Sequence, residues 1–161
     1  MLNDNEVFIT IDIDGCFAGH TQENGHWEYT LKKENVQNLT YALSLFDKDF
    51  WTGVLSSTWR RDRERIFELR RFSPTLAWFT REKTGVRQDG RRGLEIQDFL
   101  ESTGYPRDYN RIIVIDDDSE DIVPYISRNN FIHTRHDDGF TLENAERMIA
   151  MLDSFGIPRR E

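Results

Sequence analysis

The sequence predicts an α/β domain with three layers, a parallel sheet of about five strands covered by helices on both faces. Two short β-branched runs carry that expectation, Val7-Phe8-Ile9-Thr10-Ile11 and Ile112-Ile113-Val114-Ile115, and each stops abruptly in aspartates. The third observation is the alternation of such runs with stretches of helical spacing. Right-handed crossovers between successive strands then force the sheet parallel.

The first run reads as a buried strand that delivers Asp12 and Asp14 into a turn. Carboxylates two residues apart on a strand point to opposite faces, so the stop at Asp12 and the freedom of Gly15 let both face one pocket. Cys16 to Lys33, with Phe17, Trp27 and Tyr29, reads as a loop or small hairpin over that pocket, and Glu34 to Asp47 as a crossover helix. Trp51 to Trp59 is a second strand ending in the hydroxyls of Ser57 and Thr58, followed by a charged helix from Arg60 to about Phe72. Pro74 breaks that helix, Thr75 to Thr80 is a short third strand, and Arg81 to Arg92 is a basic loop.

Gly93 to Leu100 has helical spacing, closed by Gly104 and Pro106. The Ile112 strand delivers Asp116, Asp117 and Asp118, which repeats the design of the opening stretch. A helix from Ser119 to Arg128, a short strand at Phe131 to His133, and a helix capped by Thr141 and running to about Phe155 complete the chain. Three strand ends thus carry Asp12/Asp14, Ser57/Thr58 and Asp116/Asp117, and in a parallel sheet these lie along one edge.

At 161 residues the chain fits one domain, residues 1–161, and its 37% hydrophobic content excludes a disordered polymer. The lone Cys16 and a start without an apolar signal segment lead us to expect a cytoplasmic protein, and no apolar run is long enough for a membrane helix. Net charge is -8, yet Ser57 to Arg92 holds eleven basic residues against five acidic ones. Either Arg60, Arg61, Arg63, Arg65, Arg70 and Arg71 form a solvated helix face paired with Glu64 and Glu68, or a phosphate-rich substrate runs past them.

Crowded carboxylates raise one another's pKa, and a divalent cation relieves the conflict. An all-oxygen ligand set suits Mg²⁺ better than Zn²⁺. A hydroxyl at the neighbouring strand end and an arginine would then hold a phosphoryl group.

Asp12-Ile13-Asp14-Gly15, Ser57 closing a strand, a cation before a helix, and Asp116-Asp117-Asp118-Ser119-Glu120-Asp121 resemble, in that order, the four motifs of the haloacid dehalogenase (HAD) superfamily of phosphotransferases. Ser57-Thr58-Trp59-Arg60, Arg92-Gly93-Leu94-Glu95-Ile96 and Asp138-Gly139-Phe140-Thr141 further resemble the small HAD domains grouped with Swiss Army Knife RNA repair proteins. The resemblance implies a Rossmann-like sheet and an Mg²⁺-dependent phosphatase. In it Asp12 is the nucleophile that forms an aspartyl-phosphate, and Asp14 is the acid for the leaving oxygen and then the base for water. Asp12, the Asp14 carbonyl and Asp117 would hold Mg²⁺, with Asp116 and Asp121 beside them. Ser57 would bond the phosphoryl group.

The third motif usually has a lysine. Here Arg92 is the best replacement, with Arg91 and Lys83 as alternatives, and Cys16 stands where threonine is common. Thr58, Trp59 and Arg60 are candidates for substrate contact, with Trp59 placed to stack on a base; Trp27, Trp51 and Trp78 read as packing residues. His133 and His136 read as isolated surface residues.

No cap domain fits between the motifs. An open site suits a large substrate whose own bulk excludes water, such as a nucleic-acid end or a phosphoprotein, and the substrate expected is a phosphorylated nucleic-acid end or a nucleotide. The alternatives are a small-metabolite or phosphoprotein phosphatase and a binding module that keeps Mg²⁺ and phosphate without turnover. The order of the acids along the chain argues against a receiver-type phosphoacceptor.

Overall fold

The computed structural model describes residues 3–23 and 25–161, leaving aside the side chains of 21–23 and 26–28. Strands β1 (Phe8–Ile11), β4 (Thr52–Leu55), β5 (Ile112–Asp116) and β6 (Phe131–His133) form a four-stranded parallel sheet in the order β4-β1-β5-β6. β1 is central: Ile11 stands in register with Leu55 on one side and Ile115 on the other, so three strand ends meet at one edge. Strands β2 (Ala18–Glu23) and β3 (His26–Leu31) pair antiparallel, so of the loop or small hairpin expected after the first motif the structure has the hairpin.

Alternation along β1 divides the core. Val7, Ile9, Ile11 and Ile13 face a cluster built with α1 (Lys33–Ser44), α3 (Pro74–Phe79) and α6 (Leu142–Ser154). Phe8 faces a second cluster with Ile96, Phe99 and Leu100 of α4 (Arg92–Ser102) and Ile122 of α5 (Ser119–Ile122). Two helical layers therefore sandwich the sheet.

Three local expectations are corrected. Thr75 to Thr80 is helix α3, not a strand, so the parallel sheet has four strands rather than about five. Pro74 starts that helix at its first turn, where a missing N–H costs nothing, and the Ser73 hydroxyl accepts from Thr75 N to cap it. The helix expected from Arg60 divides at Asp62: a 3-10 turn, Thr58–Arg61, precedes α2 (Arg63–Phe72), whose N-terminus the Asp62 carboxylate caps. The helix expected to reach Arg128 ends as α5 at Ile122, because Pro124 has no N–H to continue the ladder.

Candidate active site

The site is assembled at the C-terminal edge of β1, β4 and β5. Asp12, Asp116 and Asp117 each offer a carboxylate oxygen within 4.8 Å of the others. Asp12 and Asp116 are buried and Asp117 is partly open. Burial pushes the Asp12 carboxyl up to about 6, even with Arg92 opposing, and burial with Asp12 beside it pushes Asp116 well up. Such a trio is the donor set that a hard divalent cation fits, since its charge removes the repulsion and its preference is for oxygen.

Arg92 enters from the first residue of α4. Its Nη1 forms an ion pair with Asp12 Oδ1 at 2.7 Å and donates to Asp116 Oδ2 at 3.3 Å. Burial disfavours its charge, but Asp12 and Asp116 outweigh that and raise its pKa. Of the three cations considered, Arg92 is the one in contact with Asp12: Arg91 is exposed and donates to the Tyr125 hydroxyl, and Lys83 sits exposed on a segment bridged to Leu55. Arg92 Nε is buried with no partner among the described residues. Asp121 has a different position from the one expected. Its Oδ2 accepts the Arg92 main-chain N–H at 2.9 Å, so it anchors the α4 N-terminus and stands outside the carboxylate trio.

Asp14 follows one turn on, half-buried, and its Oδ1 accepts the Trp59 indole N–H at 2.7 Å. Ser57 is fully buried; its Oγ accepts the Trp59 main-chain N–H, which leaves the hydroxyl hydrogen able to donate outward. Thr58 is exposed at the rim. Gly15 has φ +75°, and a Cβ there would stand 2.1 Å from Asp117 Oδ2, so only glycine lets the turn pass this close to the carboxylate.

Arg60 is not a substrate contact. It is 8% exposed, and its five donors go to the carbonyls of Ser56, Ser57, Thr84 and Gly85 and to Glu95 Oε2. It ties the Ser57 turn to the loop before α4 and also leaves the solvated arginine face expected for this helix. Arg65 does pair with Glu68 on that face. Trp59 is also withdrawn from the surface, 5% exposed with the Arg65 guanidinium 4.5 Å above its ring, so no face is open to a base. Trp51 and Trp78 pack against the core, and the Trp27 side chain lies outside the described residues.

The two histidines are exposed but not isolated. His136 Nδ1 lies 2.8 Å from Asp117 Oδ2, and His133 Nε2 lies 2.9 Å from the Asp117 carbonyl. The Asp117 hydrogen bond raises the His136 pKa. The loop reaches the site because Asn35 donates to the carbonyls of Asp138 and Phe140, and Thr134 to that of Gly15. Cys16 joins this anchoring through Thr134, with Sγ 3.1 Å from the hydroxyl, which is a packing role. Tyr29 on β3 closes the far side. Burial, with Asp14 next, pushes the pKa of its hydroxyl up to about 12, against the opposing Gly15 main chain.

A parallel α/β sheet that brings a carboxylate trio, an arginine and a hydroxyl to one edge has the layout of a HAD-type domain, a family that supports a hydrolase. Residues 8–145 match the family described as HAD domain in Swiss Army Knife RNA repair proteins, and the chain belongs to it. No curated protein and no solved structure matches the chain.

Proposed function

We propose that the protein is an Mg²⁺-dependent phosphohydrolase that works through an aspartyl-phosphate on Asp12, with phosphorylated nucleic-acid ends or nucleotides as substrates. The observation that carries this reading is the Arg92 contact to Asp12 inside the carboxylate trio. Arg92 holds one Asp12 oxygen and leaves the other to attack phosphorus, while Ser57 and Arg92 bond the non-bridging oxygens. As the Asp12 oxygen-to-phosphorus bond forms and the ester bond breaks, Asp14 gives its proton to the leaving oxygen. Asp14 then takes a proton from water, which attacks the acyl phosphate, frees inorganic phosphate and restores Asp12.

Asp12, Asp117 and the Asp14 carbonyl would hold Mg²⁺, with Asp116 beside them; bound there, the ion supplies counter-charge for the phosphoryl oxygens. Thr58 at the rim is the substrate contact that remains from the second motif.

The substrate class is supported by the small hairpin in place of a cap, by the basic balance of residues 57–92, and by the RNA repair named in the family description. Residues 1–161 act as one domain in the cytoplasm on this reading, in keeping with the single reduced Cys16; among the described residues no helix is long and apolar enough to cross a membrane.

The test is phosphate release, with and without Mg²⁺, from 3′- and 5′-phosphorylated oligonucleotides, mononucleotides, sugar phosphates and phosphopeptides. Preference for the nucleic-acid members supports the proposal. Preference for sugar phosphates or phosphopeptides overturns the substrate class, and no release by a folded protein that binds Mg²⁺ makes it a binding module.

A further inference from the structure

We infer that Trp59 is a positioning residue for proton transfer: its indole N–H fixes Asp14 Oδ1 as the accepting oxygen and so makes Oδ2 the oxygen that carries the proton. The inference rests on the reading of Asp14 as general acid given above.

The indole nitrogen is a donor with no acceptor capacity. An oxygen that receives it at 2.7 Å keeps its lone pair for that bond, so protonation is directed to the other carboxyl oxygen. The hydrogen bond found for this carboxyl among the described residues is the one to Oδ1, and on this inference Oδ2 is the oxygen that serves the leaving group. A half-buried aspartate on a turn would otherwise rotate and exchange its two oxygens, and each rotation would carry the proton away from the reacting atoms.

The donor is itself held from every side. The Trp59 main-chain N–H is bonded to Ser57 Oγ, its ring packs into the larger core cluster, and Arg65 covers it at 4.5 Å. One short 3-10 turn therefore sets two groups at once, the Ser57 hydroxyl toward the phosphoryl oxygens and the Asp14 carboxyl toward the leaving oxygen.

The dependence on the leaving group separates this role from a packing role. An alkoxide leaving group needs a proton, whereas a dinitrophenolate leaves without one. With Mg²⁺ present, Trp59→Phe lowers kcat on an alkyl phosphate by about 10- to 100-fold with KM changed less than about 3-fold, and leaves the initial burst of dinitrophenolate from its phosphate ester nearly unchanged. Asp14→Asn gives the same pattern, more steeply. Incorporating 3-benzothienylalanine at position 59 keeps the ring shape and removes the N–H, so it reproduces the pattern even where the Phe variant folds poorly.

An equal loss on both substrates, or full activity of the benzothienyl variant on the alkyl phosphate, overturns the inference while Asp14→Asn keeps its leaving-group dependence. If Asp14→Asn itself shows no such dependence, the reading of Asp14 as the acid fails, and this inference falls with it.

Discussion

Arg92 touches Asp12 and Asp116 through a single nitrogen, Nη1, at 2.7 and 3.3 Å. One guanidinium thus serves both of the most buried carboxylates of the trio and offsets part of their repulsion, and its planar fork retains further donors for a ligand.

Replacement of Arg92 therefore separates charge from geometry. Arg92→Lys keeps a point charge but loses the fork, and phosphate release falls about 10-fold; Arg92→Met removes both and costs about 100-fold or more. Steady-state kinetics on the preferred substrate, with circular dichroism to verify folding, checks both.

Asp12 predicts a pH dependence with a definite sign. Its folded pKa, about 6, lies above the ordinary value of 3.8, so the folded metal-free protein holds this proton more tightly than the unfolded chain. The stabilisation this gives is full below pH 3.8 and is lost as pH rises through about 6. Asp12→Asn removes that loss, so metal-free Asp12→Asn melts about 6–12 °C above the parent at pH 7.5 and level with it at pH 3.5. Magnesium must displace the same proton, so its affinity by calorimetry rises from pH 5 to 7 and then levels off.

Arg60 and Glu95 form a buried pair, 4% and 3% exposed in their side chains, 3.0 Å apart. Arg60→Met leaves Glu95 as an uncompensated buried charge and four carbonyls short of a donor, a loss of about 3–5 kcal/mol in urea unfolding. Glu95→Gln in the Met background recovers part of it. A substrate-binding Arg60 would instead leave the unfolding midpoint in place and raise KM.

The residues of β1 and β5 announced both their strands and the gathering of their aspartates at one edge, because an apolar run that ends in aspartates has one comfortable place in a parallel sheet. Arg92 was singled out among three cations through the family resemblance, as the one just before the Leu94 helix, and in the structure it stands against Asp12. Contacts far apart along the chain were not readable. Arg60 is defined by Glu95, 35 residues on, and His136 reaches Asp117 only through a loop pinned by Asn35 and Thr134. Nothing local marks either. Trp59 carried a signal in its place two residues after Ser57, but its proximity suggested a stacking platform, whereas the ring is buried and offers its indole N–H to Asp14. At Pro74 the local rule was available: a proline after a serine opens a helix as readily as it closes one.

Rapid acid quenching of the working protein, followed by peptide mass spectrometry, reads directly whether Asp12 becomes phosphorylated during turnover. The expected result is a transient phosphoryl group on the peptide that holds Asp12, sensitive to hydroxylamine and absent from Asp12→Asn, which releases no phosphate. Phosphate release that continues in Asp12→Asn, or a phosphoryl group on another residue, overturns the aspartyl-phosphate mechanism.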